Sequence, residues 1–105
     1  MKKALVSLLA LGGALTMTPA LAVDGETLFK TKVCAACHAI DTKLVGPAYV
    51  DVAAKYAGQD DAVAVLVDSI MNGSQGKWGA IPMSPNAVTE EEARILAEWI
   101  LQQKK

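Results

Sequence analysis

Apolar residues return at helical spacing in three stretches of the chain. Tyr49, Val52, Ala53 and Tyr56 fall at i, i+3, i+4 and i+7; Ala62, Leu66 and Ile70 fall four apart; Ala93, Leu96, Ala97, Ile100 and Leu101 form a third stripe. Each pattern places one apolar face on an amphipathic helix. A shorter helix is predicted upstream, with Asp24 as N-cap, Val23 and Leu28 spaced as a hydrophobic staple, and Leu28 and Phe29 turned inward.

The flanks of these stripes agree with the pattern. Gly46-Pro47 blocks helix before it and favours helix after it, and Gly58 is placed to cap the helix that follows. Ala62-Val63-Ala64-Val65-Leu66-Val67 is rich in β-branched residues and would pass for a buried strand. Asp60 and Asp61 before it, Ile70 extending the stripe and Asn72-Gly73 at its end favour helix, and a lone strand would have no partner. For the last helix, Thr89 and Glu92 make a capping box and Val88 and Ala93 can staple it. Glu90, Glu91 and Glu92 suit the positive end of the helix dipole and Lys104 and Lys105 the negative end, so the acidic run reads as helix chemistry.

Two stretches break the periodicity. Ile40 to Gly46 reads as a loop. Asn72 to Val88 is long for a connection in so small a chain, and it holds three glycines and two prolines together with the apolar Trp78, Ile81 and Met83. Loops of that length are functional or disordered, and a disordered linker would not carry those apolar groups.

The first 22 residues follow a different grammar. Met1-Lys2-Lys3 is a basic start, Ala4 to Leu15 an apolar run, and Ala20-Leu21-Ala22 a small-residue cleavage site, the pattern of a Sec signal peptide. The run is too short to span a bilayer of about 30 Å, and Pro19 follows it. The expected organisation is a cleaved signal over 1-22 and a single domain over 23-105, located in the periplasm. The whole chain has 10 basic and 11 acidic residues; without Lys2 and Lys3 the balance is 8 against 11, a net charge of −3. A mildly acidic domain of this kind has no reason to seek nucleic acid or an anionic membrane. At 83 residues it buries little of its unfolded surface, and such domains commonly need a staple.

The candidate staple is chemical. Both cysteines and the single histidine lie within Cys34-Ala35-Ala36-Cys37-His38, the C-x-x-C-H pattern of covalent c-type haem attachment. Each thiol would add across a haem vinyl group to form a thioether, and His38 would offer a neutral imidazole nitrogen to the iron. A structural zinc site needs four ligands in two pairs, which are lacking; a Cys34–Cys37 disulfide would close too short a loop to add much stability. A thioredoxin-like dithiol needs a strand-to-helix turn in a βαβ unit, which the pattern does not provide, and it stays as a lesser alternative.

With no second histidine, methionine is the natural candidate for the other axial position. Met1 and Met17 would leave with the signal. Met71 reads as a flexible core filler near a helix end, whereas Met83 lies in Ile81-Pro82-Met83-Ser84-Pro85-Asn86, whose prolines forbid helix and stiffen the backbone. Met83 is the predicted ligand.

Residues 23 to 105 resemble the small class I bacterial cytochromes c of the cytochrome c-551 (c8) family. The stretches that carry the resemblance are Cys34 to Asp41, Val45 to Tyr49, Asp51 to Lys55, Asn72 to Gly76, Trp78-Gly79 and Ile81 to Met83. It implies an all-α fold of four to five short helices around one covalently attached haem c, with His38 and Met83 as axial ligands. It further implies that the Pro47 carbonyl accepts a hydrogen bond from His38, that Trp78 donates its indole N–H to a haem propionate, and that Asn86 hydrogen-bonds near the Met83 sulfur. Simple core burial is the competing reading of Trp78.

The implied function is one-electron transport by a periplasmic, monomeric, non-enzymatic carrier. Its donor would be a quinol-side complex or another cytochrome, and its acceptor a nitrite reductase of denitrification or a terminal oxidase, docked briefly near Ala35, Ala36 and Ile81. The rival reading is a five-coordinate haem peroxidase or gas sensor, which requires that Met83 not bind iron. Two positions depart from the family pattern: Val33 stands where glycine often precedes the first cysteine, and Ser69 where a basic residue can pair with a propionate. Ser69 is expected to leave that propionate under-compensated unless Lys77 supplies the charge; an isolated lysine there would otherwise be solvated.

Overall fold

The computed structural model describes residues 23–104; the expected signal segment and Lys105 lie outside the described residues. Four α-helices are formed: α1 (Gly25–Thr31), α2 (Tyr49–Lys55), α3 (Ala62–Asn72) and α4 (Glu90–Leu101). A 3-10 turn, Val33–Ala36, follows α1. Among the described residues there is no strand, only an isolated antiparallel bridge between Ser74 and Met83. No described helix is long and apolar enough to cross a membrane.

The helix ends are set by the residues the sequence nominates. Asp24 accepts from the Thr27 amide at 2.8 Å, which holds its carboxyl below the usual range. At the start of α4, Thr89 Oγ1 accepts from the Glu92 amide and Glu92 returns the bond to the Thr89 amide, both at 3.0 Å. Asp61 is the residue before α3, but its side chain makes no cap bond and instead accepts from Gln59. Gly58 and Gly73, both at positive φ, terminate the turns after α2 and α3. α4 stops at Leu101, so Lys104 lies beyond its last turn rather than in it.

α4 is the common partner of the other three helices. Ala93, Leu96, Ala97 and Ile100 are buried on it, and Leu28 and Phe29 of α1, Tyr49, Val52 and Tyr56 of α2, and Ala62, Leu66 and Ile70 of α3 join them in one core. The helical reading of 62–70 is therefore correct, and its β-branched Val63, Val65 and Val67 pack at the edge of that core. Trp99, which the stripe did not include, sits between α1 and α2. Its ring lies 5.4 Å from Phe29 and 5.8 Å from Tyr49, the latter edge-to-face.

α1 can reach Trp99 because Gly25 is buried directly against it; a Cβ there would collide with Cβ and Cγ of Trp99. Helix propensity alone would favour alanine at this position by up to about 1 kcal/mol. Overpacking a fixed indole costs more, about 1–3 kcal/mol. Gly25→Ala is expected to lower the denaturant midpoint of the haem-loaded protein without changing the slope of the transition, as measured by circular dichroism.

Candidate functional site

The 3-10 turn is where the chain leaves α1 and presents its thiols. His38 N and Cys37 N both donate to the Cys34 carbonyl, at 2.9 and 3.1 Å, so the motif is wound tightly enough to turn both cysteines and the histidine to one side. Val33 opens this turn, 70% exposed, and lines the same cavity as both thiols.

From there the chain makes a loop that folds back on the imidazole. Gly46 N donates to Cys37 O at 2.7 Å, and Tyr49 N and Val50 N donate to Ala39 O and Ile40 O. His38 Nδ1 lies 2.8 Å from the Pro47 carbonyl oxygen. A carbonyl can only accept, so Nδ1 carries the proton and Nε2 keeps its lone pair. The ring is held on its faces as well: Tyr49 stacks on it at 4.9 Å and 26°, and a Cβ on Gly46 would come within 2.5 Å of its Cε1.

These residues form one wall of a cavity of about 430 Å³. Leu66, Ile70, Leu96 and Ile100 supply apolar lining, and the long loop after α3 adds Trp78, Ile81 and Met83. That size and lining suit a largely apolar ligand fixed by a few polar groups. Cys34 and Cys37 border the cavity as free thiols, Cys37 exposed and Cys34 half-buried. Burial pushes the Cys34 thiol up, partly offset by a hydrogen bond with Tyr49, and burial also raises the Tyr49 hydroxyl well above its ordinary value. Both groups are neutral near pH 7; Lys43 and Lys77 are the charged side chains among the residues that line the cavity.

The long loop is ordered by backbone bonds. Ser74 N donates to Met83 O at 3.0 Å and Met83 N to Ser74 O at 2.8 Å, which fixes the Met83 backbone on both sides between Pro82 and Pro85. Gly73 makes the turn that allows this: its φ is +87°, and a Cβ would lie 2.7 Å from Met83 O. Asn86 ties down the far end, with its backbone N and its Nδ2 both donating to Ile70 O at 3.0 Å and Nδ2 also reaching Ser84 O at 3.3 Å. Met83 thus lines the same cavity as the His38 segment. Met71 lines a separate cleft with Asp60, Asp68 and Arg94.

Trp78 is not a core residue. It is 39% exposed on the cavity rim, with the Lys55 ammonium 5.2 Å from its ring centroid, so the core-burial reading of this indole does not hold. Lys77 is exposed, and its Nζ donates to Ser69 Oγ at 3.2 Å.

The arrangement offers two thiols, a lone-pair nitrogen of fixed tautomer and a thioether around one apolar cavity, a donor set that suits a covalently held haem. Comparison with known proteins agrees. The cytochrome c family model matches residues 22–104. Cytochrome c-551 of Stutzerimonas stutzeri is 66% identical over 99% of this chain and 100% of that protein. Cytochrome c-551 of Pseudomonas aeruginosa is 63% identical over 96% of each. Among solved structures, Nitrosomonas europaea cytochrome c552 superposes with a TM-score of 0.73 at 51% identity, covering 75% of this chain and 99% of that one. With a cavity of this chemistry and relatives at this identity, the chain belongs to the cytochrome c family, as one of the small bacterial cytochromes c-551, whose cofactor is covalently bound haem c.

Proposed function

We propose that this cytochrome c carries single electrons with its haem iron held between His38 and Met83, and that its partners are a quinol-side complex or another cytochrome as donor and a nitrite reductase or terminal oxidase as acceptor. The observation that supports this reading is that Met83 lines the same cavity as Cys34, Cys37 and His38, with its backbone bonded to Ser74 in both directions. Haem c, when bound, supplies reversible exchange between ferrous and ferric iron. The chain's residues determine the setting of that exchange. Cys34 and Cys37 anchor the macrocycle by thioethers. The Pro47 carbonyl accepts a hydrogen bond from His38 Nδ1–H, which fixes the ring and leaves Nε2 for the iron. Met83 sulfur favours the ferrous state, and the apolar lining disfavours the extra charge of the ferric state. Trp78, on the rim, is placed to donate its indole N–H to a propionate, and Asn86 holds the Met83 loop against α3.

The rim also supports brief docking. Ala35 and Ala36 are exposed beside the attachment site, and Ile81 is 67% exposed across the mouth. Small apolar patches of this kind suit transient redox encounters, which bury less than about 1,200 Å². Segment 1–22 is proposed as a cleaved export signal, leaving 23–105 as a single periplasmic domain, where thioethers resist the oxidation that free thiols would suffer.

Carbon monoxide separates the carrier from a five-coordinate peroxidase or gas sensor. The ferrous protein is expected not to bind it, and Met83→Ala is expected to bind it readily, as read by the shift of the Soret band. Binding by the unaltered protein would overturn Met83 ligation. Haem staining on a denaturing gel is expected to persist for the unaltered protein and to be lost in the Cys34→Ser, Cys37→Ser double variant. Gly46→Ala should push the imidazole off its Pro47 acceptor; the His38 Nδ1–H resonance is expected to shift upfield as that hydrogen bond lengthens.

A further inference from the structure

The structure assigns to Lys77 and Ser69 a carboxylate seat on the cavity wall away from the attachment site, in which the Lys77 ammonium, positioned by Ser69, pairs with a haem propionate. The inference rests on the haem reading of the cavity. Haem c has its two vinyl-derived thioethers on one edge and its two carboxylates on the other, so anchoring at Cys34 and Cys37 sends the carboxylates to the far side. Two lysines line the cavity, Lys43 and Lys77. Lys43 is in the loop that Gly46 bonds back to Cys37, on the attachment side. Lys77 is on a different element, the loop that carries Trp78 and Met83, and its Nζ is held at Ser69 of α3.

Ser69 explains why the lysine stays there. It is 8% exposed, the one polar residue among the buried set, on the α3 face between Leu66 and Ile70. A buried hydroxyl needs partners. Its oxygen accepts from Lys77 Nζ at 3.2 Å, which leaves its own O–H and two further N–H groups of Lys77 as donors. Three donors and one positive charge at the cavity edge match a carboxylate. The other charged group near this edge is Lys55 of α2, which is engaged over the Trp78 ring; Asp68 of α3 accepts from Asn72 and lines the other cleft, and Tyr56 adds a neutral phenol to the wall. Ser69 is therefore no gap in charge compensation: the cation comes from the loop and the helix supplies its acceptor.

The test is the midpoint potential of the haem-loaded protein as a function of pH, with the 13C resonances of the propionate carboxylates followed in parallel. An ionised propionate favours ferric iron, so the potential falls as pH rises through the propionate's ionisation. A neighbouring ammonium keeps the carboxylate ionised to lower pH. Lys77→Met is expected to move that fall, and the carboxylate titration, upward by about 1 pH unit, the low end for an opposite charge because Lys77 is exposed. Lys77→Arg is expected to restore the original profile, and Lys43→Met to leave it in place. A Lys77→Met profile superimposed on the unaltered one, or a shift produced by Lys43→Met instead, would overturn the assignment. An unchanged reduced spectrum in each variant shows that axial ligation is intact, so failure of the seat is read separately from failure of the haem reading.

Discussion

The bond from His38 Nδ1 to the Pro47 carbonyl is the contact on which the site depends, because it joins the two ends of a loop that has little else to organise it. That loop contains no helix, and its order comes from closing on itself: Gly46 on Cys37, Tyr49 on Ala39, Val50 on Ile40. Those last two bonds deliver the chain into α2 at Tyr49, whose ring lies on the imidazole and whose edge meets Trp99 of α4. The orientation of one histidine is thus fixed by the start of one helix and, through it, by the helix on which the whole chain packs. A methyl group on Gly46 would occupy the space that the imidazole needs.

The loop that carries Met83 is built by other means. Met83 belongs to a loop without helix, and its position is set by a bridge to Ser74, a left-handed turn at Gly73 and the anchoring of Asn86 on the end of α3. Leu66, Ile70, Leu96 and Ile100 are both core residues and cavity lining. The core is therefore continuous with the cofactor site. In a domain whose surface-to-volume ratio leaves little apolar burial to spare, a covalently tethered macrocycle supplies the missing interior.

The helices were legible because their information is local: stripes of four or five residues, a capping box three residues long, glycines at the stops. The attachment motif was legible for the same reason, being a short segment whose composition restricts its chemistry. What escaped were contacts between segments. Trp99 stands three residues after Leu96, within reach of the same stripe, yet only the crossing of α1 at Gly25 makes it the centre of an aromatic cluster with Phe29 and Tyr49. Ser69 and Lys77 were linked only through the charge that the lysine would supply; that their side chains meet in a hydrogen bond was not legible, because neither serine nor lysine signals it alone. Trp78 was open to two readings since an indole is as ready for a core as for a rim, and the loop's path decides which.

That path gives the long loop a single logic. It carries the thioether, the rim indole and an ammonium group, and it is tied to α3 at separate points through Lys77–Ser69 and Asn86–Ile70, with Ser74–Met83 closing it between them. Motion of the segment at one tie would be felt by all three groups. If Met83 binds the iron and Lys77 a propionate, as proposed, a carrier that changes only its charge would benefit, since what holds the sulfur would also hold the ammonium and little would need to rearrange when an electron arrives. The cation would then sit on the loop that carries Met83, with only its acceptor on the helix.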